Sequence, residues 1–226
     1  MSDPHPFPDA SDRAQRLITL VLLAVMGVEL MVLLWRGDGL RALMLLAVMT
    51  LTMLPILLSA RFRVHIPPVF QILVVLFVFA ALFLGEFRDF YERYWWWDIA
   101  LHTSSGLLLG MFGFMLIYIL NEDPRVDLRL RPGFLAAFAF CFALAIGTLW
   151  EVFEFTMDQV AGANMQKPMF GDPSGLTDTM WDLIVDAIGA LVVTLYGWRY
   201  LRHGERSLIR DLIARFVERN PRLFRG

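Results

Sequence analysis

Residues 132–150 read Pro-Gly-Phe-Leu-Ala-Ala-Phe-Ala-Phe-Cys-Phe-Ala-Leu-Ala-Ile-Gly-Thr-Leu-Trp without a single charge, and acids begin only at Glu151. A helix needs about 20 mostly apolar residues to cross the hydrocarbon core of a bilayer, and a run past about 18 is a candidate. Lipid offers no partner for open backbone groups, so such a segment must be helical. The span opened by this stretch runs from Pro132 to Asp158. Five more of the same kind lie along the chain: Leu17 to Trp35, Leu40 to Ala60, Pro67 to Phe87, Asp98 to Leu120 and Thr179 to Leu201. Charges, glycines and prolines gather between them, as in Arg36-Gly-Asp-Gly39 and Asn121 to Pro132.

The composition agrees. Of 226 residues, 58% are apolar and 19% charged, against about 45–50% and 25% in soluble domains. Mean hydropathy is +0.58. A water-soluble enzyme, a nucleic-acid binder and a disordered scaffold are all excluded. The expectation is an all-α polytopic membrane protein: a six-helix transmembrane bundle over residues 17–201, a cytoplasmic segment 1–16 and a tail 202–226. Residues 1–16 hold three aspartates and three prolines and read as leading into an uncleaved anchor. In the tail, Leu208, Ile209, Leu212, Ile213, Phe216 and Val217 recur at helical spacing beside Arg206, Arg210, Arg215 and Arg219. That pattern predicts an amphipathic helix on an anionic leaflet, with docking onto a protein as its rival.

Fifteen of the twenty basic residues fall on the side of the two termini. By the Lys/Arg bias both termini are expected in the cytoplasm, and the tail decides the balance. Nineteen arginines against one lysine suit a GC-rich bacterial genome. Cys141, the single cysteine, has no partner for an internal disulfide and reads as a packing residue.

The ionisable residues inside the spans are not evenly spread. The fourth span opens Trp97-Asp98-Ile-Ala-Leu-His102, with Asp98 and His102 on one face at i, i+4. The fifth ends Trp150-Glu151-Val-Phe-Glu154-Phe-Thr-Met-Asp158, and the sixth begins Asp178-Thr-Met-Trp-Asp182-Leu-Ile-Val-Asp186. The alternation of spans puts these three helix ends, and Glu29 of the first span, in the extracytoplasmic half. An acid near a helix centre costs about 2.5–3.5 kcal/mol to insert, so it faces protein and needs a reason. Converging carboxylates are either protonated or neutralised by a cation. A cluster with one histidine suits Mg²⁺, Mn²⁺ or Zn²⁺. On that reading Glu151, Glu154, Asp182 and Asp186 are the metal ligands, and His102 is a ligand or base oriented by Asp98.

Plainer readings stand beside these. Asp98, Asp158 and Asp178 lie near helix ends, where loop water can solvate them. Glu29 fits a lone interhelical hydrogen bond, and Thr103-Ser-Ser-Gly106 a small-residue packing face. Trp95 to Trp97 read as an interfacial aromatic belt. The loop from Gln159 to Thr177 is a lid or a plain connector.

Trp150-Glu151-x-x-Glu154, then Trp181-Asp182-x-x-x-Asp186-x-x-Gly189-Ala190, with Asp98-x-x-x-His102-x-x-x-Gly106 upstream, resembles the YjdF-like inner-membrane proteins of bacteria. It is more distantly similar to VanZ-like proteins, from which it departs at Phe155 and Asp186. The resemblance covers about residues 65–200 and implies a small polytopic envelope protein. Three functions follow from the acids. The first is metal-assisted chemistry on a lipid or lipid-linked envelope precursor. The second is a cation- or proton-coupled transporter, and the third a non-catalytic membrane assembly partner. Membrane lipids are the expected partners, and nucleic acid is not one.

Overall fold

The computed structural model describes residues 10–62, 66–122 and 129–203, together with Phe216, Arg219 and Asn220. The amphipathic tail expected over 202–226 falls almost wholly outside them. Among the described residues the chain is helical: α1 (Ala10–Trp35), α2 (Gly39–Phe62), α3 (Pro68–Val78, continued as a π-helix over Phe79–Phe87), α4 (Phe90–Arg93), α5 (Trp97–Glu122), α6 (Pro132–Ala161) and α7 (Leu176–His203). Six of these segments are long and apolar enough to cross a membrane. The all-α, six-span expectation holds.

Helix ends extend beyond the apolar runs. α1 begins at Ala10 rather than Leu17, and α6 ends at Ala161 rather than Asp158. Asp38 caps α2 by accepting from the Arg41 N–H at 3.2 Å. Pro68 and Pro132 stand in the first turns of α3 and α6, where a missing N–H costs nothing. Gly162 closes α6 at φ 62°, its N–H donating to the Asp158 carbonyl at 3.1 Å.

The chain divides into two compact units, Met1–Tyr94 and Trp95–Gly226. In the first, Met26 and Leu33 of α1 and Ala42, Leu45 and Val48 of α2 pack with Phe83 of the π-helical segment. Phe79, Phe83 and Phe87 stack in succession, with ring centroids 4.9 and 6.4 Å apart. Glu29 pairs with Arg88 at 3.1 Å, a local partner for the one acid within the first span.

The second unit holds α5, α6 and α7, all three in mutual contact, with α5 and α7 the most closely packed. Glycines make that approach possible. A Cβ at Gly106 would run into the backbone carbonyl of Asp186, and one at Gly189 into that of Thr103. Small residues at such a seam let two helix backbones meet, as in membrane helix pairs generally. At the far end of this unit Phe114, Ile117, Leu135 and Ala139 form an apolar core. Its outward faces carry exposed Ile184, Ile188, Val192 and Leu195, as lipid-facing surfaces should.

Candidate functional site

The start of α5, the end of α6 and the start of α7 meet around the imidazole of His102. Asp98 lies one turn before it on α5, so the helical spacing alone stacks the two; Nε2 is 3.6 Å from Asp98 Oδ1. Glu151 of α6 reaches the same nitrogen at 3.7 Å, and Asp182 of α7 at 4.0 Å. The other ring nitrogen, Nδ1, is 3.3 Å from Oδ2 of Asp186, one turn further along α7. Asp186 is held in turn: the Ser105 hydroxyl hydrogen-bonds to its Oδ1 and lies 2.8 Å from the His102 carbonyl.

Burial is nearly complete. Asp182 has no exposed surface, and Asp186 and Glu151 keep 2% and 3%. Room for Asp186 comes from Gly147 on α6, where a Cβ would stand 2.6 Å from Oδ2. Both oxygens of Asp182 lack a hydrogen-bond donor. The Thr179 hydroxyl accepts from Gln166 Nε2 at 2.7 Å, which leaves its own proton to donate to Glu151. Leaving a buried polar group unpaired costs about 1–3 kcal/mol, more when it is charged. The enclosure therefore holds unpaired acceptors around one imidazole.

Five of the six residues singled out in the sequence come together: Asp98, His102, Glu151, Asp182 and Asp186. Glu154 makes no ion pair with His102, its Oε1 accepting from the Trp150 indole N–H at 2.8 Å, but it lies within electrostatic reach of Glu151, Asp98 and His102. Among the described residues, Asp98, His102 and Asp182 each offer one donor atom, all within 4.8 Å of one another, a geometry able to hold a metal ion. Ser105 was hidden in the Thr103-Ser-Ser-Gly106 run. Only the pairing with α7 distinguishes it from Thr103 and Ser104, whose hydroxyls bond back to their own helix at 2.7 Å.

The remaining acids organise the loop beside the site. Asp158 accepts from the backbone N–H groups of Met165 and Gln166, the second at 2.9 Å. Asp178, buried to 1% exposure, accepts from the Lys167 N–H at 2.7 Å. Residues 165–167 are thereby tied to the end of α6 and the start of α7. Farther along, Asp172 gathers the N–H and hydroxyl groups of Ser174 and Thr177 at 2.6–3.1 Å. Those hydrogen bonds hold its carboxyl well below the usual carboxylate range.

A Thermotoga maritima protein described as uncharacterized is 32% identical to this chain over 122 residues, 54% of this chain and 58% of the other. The match thus spans somewhat over half of that protein's length. No solved structure matches. The model of the family described as a predicted membrane protein family, DUF2238, matches residues 17–203, from the first span to the end of α7. It contains the whole His102-centred cluster, and the YjdF-like resemblance fits it. The chain belongs to the DUF2238 family of membrane proteins.

Proposed function

We propose that this protein is a divalent-cation-dependent enzyme of the bacterial inner membrane, acting on a lipid or lipid-linked envelope precursor from a site open to the extracytoplasmic leaflet. One observation carries the reading. Asp182 is enclosed with both carboxylate oxygens unpartnered, and with Glu151 it faces a single imidazole shared with Asp98 and Asp186. A protonated imidazole would offset only one of the four carboxylate charges, whereas a divalent ion held by the neutral ring would offset two, and so answers more of the charge that burial penalises. Such an ion polarises a phosphoryl or ester oxygen.

The rest of the second unit fits a site for an amphiphile. The cluster lies at one end of a three-helix unit whose faces are apolar, beside a loop tied down by Asp158 and Asp178. Lys167 on that loop, the chain's single lysine, sets a cation near Asp98 and Asp178, where an anionic head group would arrive. A carrier would need acids or other polar groups to continue the path. Below Asp186 this unit closes instead with Phe114, Ile117, Leu135 and Ala139.

The test is metal quantification on protein purified in detergent at neutral pH. The expected result is a divalent ion retained by the native chain and lost in Asp182→Asn; native protein that retains and binds no divalent metal overturns the reading. Labelling Ser174→Cys with a membrane-impermeant thiol reagent in intact cells tests the orientation. Labelling from outside is expected.

A further inference from the structure

The geometry points to a division of labour among the site residues: Asp98, His102 through Nε2, and Asp182 form the ligand set for one ion of the zinc or manganese class, with Asp186 and Ser105 orienting His102 from behind and Glu151 facing the ion from outside that set. The inference rests on the cation-site reading above and assigns its parts.

The imidazole decides it. A carboxylate can only accept, so Asp186 Oδ2 at 3.3 Å from Nδ1 puts the ring proton on Nδ1. Nε2 is then left with its lone pair facing Asp98, Glu151 and Asp182 at 3.6, 3.7 and 4.0 Å. A lone pair directed at three carboxylates is repulsive unless a proton or a cation lies between them. Asp182, fully buried with neither oxygen hydrogen-bonded, is aimed into that same space.

The spacing suits an ion. Donor atoms around a tetrahedral zinc with bonds of about 2.0–2.1 Å lie roughly 3.4 Å apart. The three donors of Asp98, His102 and Asp182 sit within 4.8 Å of one another, so small side-chain movements close them on a common centre. These ligands come from α5 and α7, the pair joined along the glycine seam. Glu151 comes from α6; its Oε1 is 3.7 Å from Nε2, but among the described residues it is not in the group whose donor atoms all lie within 4.8 Å of one another. One nitrogen among oxygens favours zinc or manganese over magnesium, which takes an all-oxygen shell.

Asp186 matches the carboxylate that ligating histidines recruit for their second nitrogen, and Ser105 fixes it by occupying its other oxygen. Loss of such a partner weakens metal binding by about 10–100-fold.

Titration of the detergent-purified full chain with Mn²⁺, Zn²⁺ and Mg²⁺ alone, together with pulsed EPR of the Mn²⁺-loaded native protein, tests the assignment. The expected spectrum shows one manganese coupled to an imidazole nitrogen, with Zn²⁺ displacing it and Mg²⁺ failing to. Affinity should fall beyond detection in His102→Ala and Asp182→Asn, and 10–100-fold in Asp186→Ala. Asp186→Asn, which keeps an acceptor for Nδ1–H, should recover part of that loss, and Glu151→Gln should bind within a few-fold of native. Manganese without nitrogen coupling, a Glu151→Gln loss as deep as that of Asp182→Asn, or an unaffected Asp186→Ala each overturns the division while leaving a cation site. Native protein that binds none of the three ions overturns the cation reading itself. The EPR result is read on the native chain, so it stands even where a variant fails to fold.

Discussion

Gly147 on α6 stands directly against the carboxylate of Asp186 on α7, and a Cβ there would lie 2.6 Å from Oδ2. The acid keeps its position because α6 presents no side chain at that point. Gly147→Ala should push Asp186 off His102, with an overpacking cost of about 1–3 kcal/mol. Thermal unfolding in detergent measures the cost, and weakened metal retention, similar to that of Asp186→Ala, measures the displacement.

The α5–α7 seam makes a sharper prediction. At Gly106 and Gly189 the obstructing atoms are backbone carbonyls of Asp186 and Thr103, which cannot turn aside as a side chain can. Gly106→Ala and Gly189→Ala should each destabilise the second unit by at least the 1–3 kcal/mol of ordinary overpacking. Gly27→Ala in α1 meets nothing within 4 Å and should be neutral or stabilising by about 0.5–1 kcal/mol. Melting temperatures of the three variants, compared in one detergent, check the order.

The loop clasp should be separable from the site. Hydrogen bonds to a charged acceptor are worth about 1.5–3 kcal/mol. Asp158→Ala removes the acceptor for the Met165 and Gln166 amides, so their hydrogen exchange should accelerate by roughly tenfold or more. Metal retention should persist, since Asp158 touches none of the residues around His102.

Asp172 supplies a pH dependence. Its carboxyl is held below its ordinary 3.8 by the Ser174 and Thr177 donors, so the charged form is the one the fold favours. Its contribution is therefore in place above about pH 4 and is lost as pH falls through the depressed value. Hydrogen exchange at the Ser174 and Thr177 amides should hold steady from neutral pH to about 4, once corrected for intrinsic rates. Asp172→Asn should raise it at every pH in that range.

The six spans were legible because each is an apolar run longer than a soluble core helix needs, and the Pro132–Trp150 stretch shows this most plainly. The convergence of His102 with acids from three helices was legible too, from helix direction alone. Which acid does what was not. Glu151 and Glu154 lie about 60° apart on a helical wheel, yet one enters the ring and the other pairs with Trp150. Spacing assigns a face and not the neighbour that waits there. Asp98 and Asp178 lie near helix ends, where loop water could reach them; the loop folded back at 165–167 helps to bury Asp178, and Asp98, half-buried, turns to His102 on its own helix. The π-helical turn over Phe79–Phe87 left no mark in an apolar pattern that is the same on every side.

The glycine contacts between α5 and α7 set the helices in register through main-chain atoms. Slipping α7 by one residue along α5 would turn every one of its side chains by about 100° and carry both Asp182 and Asp186 away from His102. The alignment of this buried charge cluster is thus stored in the spacing of Gly106 and Gly189, like teeth on meshed racks.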